Sequence, residues 1–233
     1  MKQQPIIQAR DLQRTYHLGG EDVHAVRGVT LDIHPQQMTA IVGRSGSGKT
    51  TFLNLISGLD RPTSGEAWFE GQRLDTLDEK SLLRLRQERI GFVFQAFGLL
   101  PLLSAAENVG VPLRMRGLPG KEREERVTEA LSWVGLLERA KHRPYELSGG
   151  EQQRIAIARA LAARPSIILA DEPTGQLDSS TGRRILDLLR RLVIEQHMTI
   201  VMVTHDPQVI IEADVIHELR DGQLIDTRLA ASA

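Results

Sequence analysis

The chain has 233 residues, with 29 Lys and Arg against 30 Asp and Glu and no cysteine, which is long enough to bury a substantial core. A formal net charge of -1 and a pI near 6.7 provide no global basic field for nucleic acid or an anionic membrane surface. The lack of thiols excludes a disulfide scaffold and a thiolate metal site.

The N-terminal stretch, Met1-Lys2-Gln3-Gln4-Pro5, has none of the apolar character of a secretory signal. No apolar run approaches the ~18 residues of a spanning helix, so the expectation is a soluble cytoplasmic chain. Short β-like segments follow at Ile6 to Ala9, Val23 to Ile33 and Glu66 to Phe69, the second alternating apolar and polar residues as a half-exposed strand does. They predict an antiparallel piece beside the core.

Between them lies the apolar segment Met38 to Val42, then Gly43-Arg44-Ser45-Gly46-Ser47-Gly48-Lys49-Thr50, then a helical pattern over Lys49 to Ser57. The run fits G-x-x-x-x-G-K-[ST] in the strand–loop–helix context that gives this motif its meaning. Glycines let the backbone aim successive N–H groups at phosphate oxygens, the helix start adds partial positive charge, and Lys49 adds a full one. The Thr50 hydroxyl is then placed to ligate Mg²⁺.

Buried-strand patterns recur at Ile90 to Phe94, Ser166 to Ala170 and Thr199 to Val203, with spacings long enough for crossover helices. The fold class predicted is α/β with a mostly parallel core sheet. From Gln95 to about Ala163 the texture turns helical, at Ser104 to Met115, Lys121 to Val134 and Gly150 to Ala163, which predicts an inserted helical lobe over 95–163 between core portions 1–94 and 164–233. Gly117-Leu118-Pro119-Gly120 reads as a helix–helix turn, and the charge run Lys121 to Arg126 as a solvated helix face with i,i+4 pairs.

The strand Ile167-Ile168-Leu169-Ala170 ends in Asp171-Glu172, placing two carboxylates at the sheet edge where α/β proteins bind ligands. Asp171 is assigned to the metal and Glu172 to polarising the attacking water. Leu147-Ser148-Gly149-Gly150-Glu151-Gln152-Gln153-Arg154 opens a helix with the chemistry of a second anion-binding N-terminus.

That octapeptide resembles the signature sequence of ATP-binding-cassette (ABC) ATPases, and the other motifs fall in that family's order. Tyr16 fits the aromatic that stacks on adenine, Gln95 the loop glutamine, Gly175-Gln176-Leu177-Asp178 the D-loop and His205 the switch histidine. The resemblance covers nearly the whole chain. It implies a head-to-tail homodimer with two ATP molecules, each between the phosphate loop of one subunit and Ser148 and Gly150 of the other, with Asp178 linking the two sites. Gln95 would sense Mg²⁺ and the attacking water, and His205 would contact the γ-phosphate.

Three positions depart from the family's commonest pattern: Gln176 in the D-loop, His34-Pro35-Gln36-Gln37 before the phosphate-loop strand, and Thr50-Thr51, which keeps the hydroxyl needed at the metal. The stretches Ile90 to Gln95, Leu99-Leu100-Pro101, Glu107-Asn108-Val109 and Asp171 to Gly175 resemble the lipoprotein-release, macrolide-exporter and cell-division ATPase group. The implied function is the ATPase subunit of a transporter working in export or in extraction from the membrane, peripheral on the inner face of the membrane through a separate permease. The alternative is ATP-controlled regulation of a permease-like protein without transport. Phe97, Leu99, Leu100 and Leu102 are read as a groove for a helix of that partner.

Overall fold

The computed structural model describes residues 4–229. Its strands form two sheets. A six-stranded sheet has the order β10-β9-β3-β8-β7-β6, built from β3 (Met38–Val42), β6 (Ile90–Val93), β7 (Ile167–Asp171), β8 (Thr199–Thr204), β9 (Val215–Arg220) and β10 (Gln223–Leu229). All its pairings are parallel except β9 with β10. Every residue of β3 and β8 is buried, because helices cover both faces of a parallel sheet and its strands therefore read as unbroken apolar runs.

The second sheet is antiparallel, with order β2-β1-β4-β5, formed by β1 (Ile7–Leu18), β2 (Glu21–Ile33), β4 (Ser64–Phe69) and β5 (Gln72–Arg73). Strand β1 runs well past the predicted Ala9. It carries register shifts on β2 and Asp11 sits at φ 47°, so a bulge breaks the alternation that marks a strand.

Helix α1 (Lys49–Ile56) follows the phosphate loop, α2 (Glu79–Arg89) leads into β6, and α3 (Ala105–Met115), α4 (Gly120–Trp133) and α5 (Gly149–Ala162) lie between β6 and β7. Helix α6 (Ser179–Gln196) crosses to β8, and α7 (Pro207–Glu212) precedes β9. Two predicted strands shift at their ends: Phe94 falls outside β6 and is exposed, and Ser166 precedes β7.

Two buried clusters hold the layers together. One packs Ile41, Leu169, Val201 and Val203 of the large sheet with Phe52 and Ile56 of α1 and Leu12 and Val29 of the antiparallel sheet. The other joins Ala40, Ile168, Ala170 and Met202 to Ile185 and Leu189 of α6, Ile155 and Ile157 of α5, and Val109 and Leu131 of α3 and α4. The helices between β6 and β7 thus share a core with the sheet, and α5 packs on β6, where a Cβ on Gly91 would meet Ala160.

Capping defines the helix starts that matter. Ser104 and Ser148 each form a capping box, with Glu107 and Glu151 respectively, and Asp178 accepts from the N–H groups of Ser180 and Thr181 at the head of α6. These serines and this aspartate precede the helices instead of belonging to them, which is why α3 begins at Ala105 and α5 at Gly149.

Candidate functional site

A cleft of about 460 Å³ opens at the carboxyl edge of the large sheet, lined by residues 45–51 together with Gln95, Asp171, Glu172, His205 and, from β2, residues 23–25. Four parallel strands supply it: β3 leads into the phosphate loop, β6 toward Gln95, β7 ends on Asp171, and β8 leads into His205. The carboxyl ends of strands are where open α/β sheets place ligands.

The phosphate loop is held in a shape that only glycine permits at its last position. Gly48 has φ 93° and caps α1, and a Cβ there would lie 2.1 Å from the carbonyl oxygen of Ala25. Lys49 is buried, and its Nζ donates to the carbonyls of Gly43 and Arg44 at 2.9 and 3.0 Å. Its charge is thereby stretched back along the loop. The buried Ser47 hydroxyl has no hydrogen-bond partner among the described residues, the kind of orphan that a phosphate oxygen would satisfy.

Across the cleft, the Thr50 hydroxyl donates to Asp171 Oδ1 at 3.3 Å. Burial pushes the Asp171 carboxyl above its usual range, opposed by the Thr50 hydrogen bond, raised further by the neighbouring Glu172 and lowered by Lys49. Glu172 stands at φ 47°, the left-handed region. Its N–H donates to the Val203 carbonyl at 2.9 Å and its carbonyl accepts from the Gly175 N–H at 3.0 Å, so the surroundings enforce a conformation that a non-glycine residue seldom adopts.

The Glu172 carboxylate is aimed by two neighbours from the end of β8. Oε2 accepts from the Thr204 hydroxyl at 3.0 Å, and Oε1 lies 2.7 Å from His205 Nδ1. Because a carboxylate only accepts, that imidazole nitrogen donates. The glutamate side chain is 14% exposed against 67% for the histidine, so Glu172 is sheltered while His205 reaches outward.

Three further predicted residues lie elsewhere. Ser148 and Gly150 are at the head of α5 and Asp178 caps α6, and none of the three lines the cleft. A Cβ on Gly150 would meet Thr181 Cγ2 at 2.4 Å, so the absent side chain is what lets the two helix heads touch. Ser180 and Thr181 hold the Asp178 carboxyl well below the usual carboxylate range. Tyr16 also stands outside the cleft lining. It sits opposite Val23, which does line the cleft, with the Arg14 guanidinium 4.5 Å over its ring and its hydroxyl donating to Asp60 at 2.7 Å.

Sequence reading passed over several residues that tie the site together. Thr204 orients Glu172, as above. Gln153 is fully buried on α5 and donates to the Pro173 carbonyl at 2.6 Å, joining the Ser148 helix to the residue after Glu172. The Arg159 guanidinium donates to the Phe97 carbonyl at 2.8 Å and also bonds the Gly98 carbonyl, fastening the loop after Gln95 to the same helix. Only Thr204 had a visible signal, a hydroxyl at the carboxyl end of a buried strand.

Of the four apolar residues read as a partner groove, Leu100 and Leu102 are exposed. Leu99 packs on the α-helical core, and a Cβ on Gly149 would lie 3.8 Å from the Phe97 ring. Neither these two nor Leu100 or Leu102 lines the large apolar groove, a space of about 400 Å³ walled by Leu59, Phe92, Phe94, Pro112 and Met115 with Arg86 and Arg159 among them. Phe97 (φ 44°) and Gly98 (φ 62°) both stand in the left-handed region, and Gly98 itself lines that groove.

Residues 26–175 match the family model described as ABC transporter. The chain belongs to the ABC transporter ATP-binding family and is an ABC-type ATPase. It is 48% identical over 223 residues to the ABC transporter ATP-binding protein MJ0796 of Methanocaldococcus jannaschii, covering 94% of this chain and 95% of that protein. It is 45% identical over 221 residues to the macrolide export ATP-binding/permease protein MacB of Escherichia coli (strain K12), covering 95% of this chain but only 34% of that longer protein. A dimeric structure of MJ0796 in a post-hydrolysis state bound to ADP and Pi aligns with a TM-score of 0.88 at 43% identity, covering 97% of this chain and all of that one.

Proposed function

We propose that the chain hydrolyses MgATP as one half of a head-to-tail homodimer and drives a separate integral membrane permease, in export or in extraction of a substrate from the membrane. The observation that carries this reading is a division within one subunit. The phosphate loop, Gln95, Asp171, Glu172 and His205 share one cleft, whereas Ser148, Gly150 and Asp178 lie outside it. A second copy would bring its Ser148 helix head to the open side of that cleft, where the partial positive charge of the N-terminus favours phosphate. The MJ0796 structure, a dimer bound to ADP and Pi, supports a dimeric form.

In each cleft, backbone N–H groups of the loop and Lys49 hold the β- and γ-phosphates. The Thr50 hydroxyl, the Asp171 carboxylate and the Gln95 amide oxygen form an all-oxygen set suited to Mg²⁺, which when bound neutralises phosphate charge. Among the described residues no cluster of three or more His, Asp or Glu could hold a metal, in keeping with an ion whose other ligands are phosphate oxygens and water. Glu172, held by Thr204 and His205, accepts the proton of the attacking water.

With no native cysteine, Ser45→Cys combined with Ser148→Cys offers a clean test. In a Glu172→Gln background, MgATP should yield a covalent dimer of two crosslinked pairs under mild oxidation, read on a non-reducing gel. A failure to crosslink with nucleotide bound would overturn the head-to-tail arrangement.

Among the described residues no helix is long and apolar enough to cross a membrane. The apolar groove walled by Phe92, Phe94 and Met115 fits the apolar face of an amphipathic helix from the permease. Phe92 and Phe94 stack there at 5.8 Å between ring centroids, and Phe94 and Met115 are 45% and 64% exposed. Phe94→Ser with Met115→Ser should reduce recovery of an integral membrane partner from detergent-solubilised membranes by roughly tenfold or more, with MgATP binding retained. Undiminished recovery would remove the groove from the coupling surface.

A further inference from the structure

We infer that Asp60 and Arg14 are positioning residues that hold Tyr16 as a fixed platform for the nucleotide base. The inference rests on the reading of Tyr16 as the aromatic that stacks on adenine, and it adds two side chains that need not touch the ligand.

The three side chains close a triangle. Tyr16 donates its hydroxyl to Asp60 Oδ2 at 2.7 Å, Arg14 Nη2 pairs with Asp60 Oδ1 at 2.9 Å, and the Arg14 guanidinium lies 4.5 Å over the Tyr16 ring. Both charged side chains are about three-quarters shielded, at 25% and 23% exposed. Screening by water is therefore reduced and the cation–π contact strengthened. Arg14 Nε is buried with no hydrogen-bond partner among the described residues. A guanidinium that leaves a buried N–H unpaired is held by its other contacts, here the carboxylate and the ring.

Asp60 belongs to the segment leaving the phosphate-loop helix, and its N–H donates to the carbonyl of Asn54 in α1 at 3.1 Å. The triangle therefore ties the strand bearing Tyr16 to the helix that begins at Lys49. Tyr16 lies opposite Val23 in the β1–β2 pair; directly opposed residues project from the same face of a sheet, and Val23 lines the cleft. With Arg14 covering one face of the ring, the other is left for a base. A ring already fixed by its hydroxyl and by a stacked cation loses little rotational freedom when a base arrives.

The test compares MgATP with magnesium tripolyphosphate, which offers the phosphates without a base, by titration calorimetry on the full chain. Tyr16→Ala should weaken ATP binding roughly tenfold, as loss of one stacked base predicts, and leave tripolyphosphate unchanged. Asp60→Ala should weaken ATP about three- to tenfold, the cost of immobilising a side chain, again with tripolyphosphate unchanged. In the Tyr16→Ala background the Asp60 change should add less than about twofold, because coupled residues act through one another.

Tyr16→Phe, which keeps the ring and removes only the hydroxyl, should fall between wild type and Asp60→Ala, and it tests the platform even if Asp60→Ala does not fold. Equal weakening of both ligands by Asp60→Ala, or no change in either with Tyr16→Phe, would overturn the positioning role. An ATP-to-tripolyphosphate ratio unaffected by Tyr16→Ala would instead overturn the stacking role on which it rests.

Discussion

Glu172→Gln is expected to lower ATP turnover by about 10²- to 10⁴-fold, the range that a positioned general base contributes, equivalent to roughly 3–5 kcal/mol of transition-state stabilisation. The substitution isolates chemistry from structure. A glutamine keeps one acceptor: its oxygen can take the place of Oε1 and accept from His205 Nδ1, while its amide nitrogen, in the place of Oε2, can donate to the Thr204 hydroxyl now 3.0 Å away. The backbone bonds that hold this residue at φ 47°, to Val203 and Gly175, are untouched. What is lost is the capacity to take a proton. MgATP affinity should therefore persist, and the dimer should accumulate, because hydrolysis is the step that would release it.

Single-turnover hydrolysis and size-exclusion chromatography in MgATP read the two effects separately. Hydrolysis within about threefold of wild type would remove Glu172 from its role, and Asp171 could not replace it while occupied by Thr50 and the metal. Glu172→Ala is the less informative variant. It would also strip the Thr204 hydroxyl and His205 of their shared partner, adding an unsatisfied buried group to the loss of the base.

The strands and loops that build the cleft could be read from the sequence because their physics is local. Buried parallel strands show as continuous apolar runs at Met38 to Val42 and Thr199 to Val203, and the phosphate loop carries its own glycines and lysine. Helix α2 and strands β9 and β10 left no comparable trace. Only Leu82 and Leu85 of α2 are buried, and most of β10 is exposed, so neither shows the periodicity that burial imposes. The long extension of β1 was hidden by the bulge around Asp11.

Within the site, the same divide separates what a residue is from what it touches. Lys49, Asp171 and Glu172 are recognisable by type and spacing. That Thr204 and His205 both aim Glu172, that Gln153 reaches Pro173 and that Arg159 fastens the Phe97 loop depends on contacts across 32 or more, 20 and about 60 residues of chain. Such contacts are fixed by pairing of β8 and β6 with β7 and by packing of α5 on β6, which no window of sequence contains.

Lys49→Ala should act on a different step, weakening MgATP binding by about 2–5 kcal/mol, roughly 30-fold or more, as expected when one partner of a buried charge-assisted contact is truncated. The ammonium sits at the junction of loop and helix, buried and bonded to the Gly43 and Arg44 carbonyls. Its removal takes the only full charge from the phosphate-loop motif that bonds back across the loop, and it also frees those carbonyls to relax. Lys49→Arg should not rescue binding, because a planar fork cannot occupy the space of a compact ammonium beneath that backbone. The loop fold itself should persist, since Gly48 and its approach to Ala25 are independent of the lysine. Calorimetric titration with MgATP therefore separates the two substitutions: Glu172→Gln should keep the dissociation constant and lose turnover, whereas Lys49→Ala should lose affinity first. A Lys49→Ala dissociation constant within about threefold of wild type would mean that backbone amides and the α1 N-terminus alone suffice to hold the phosphates.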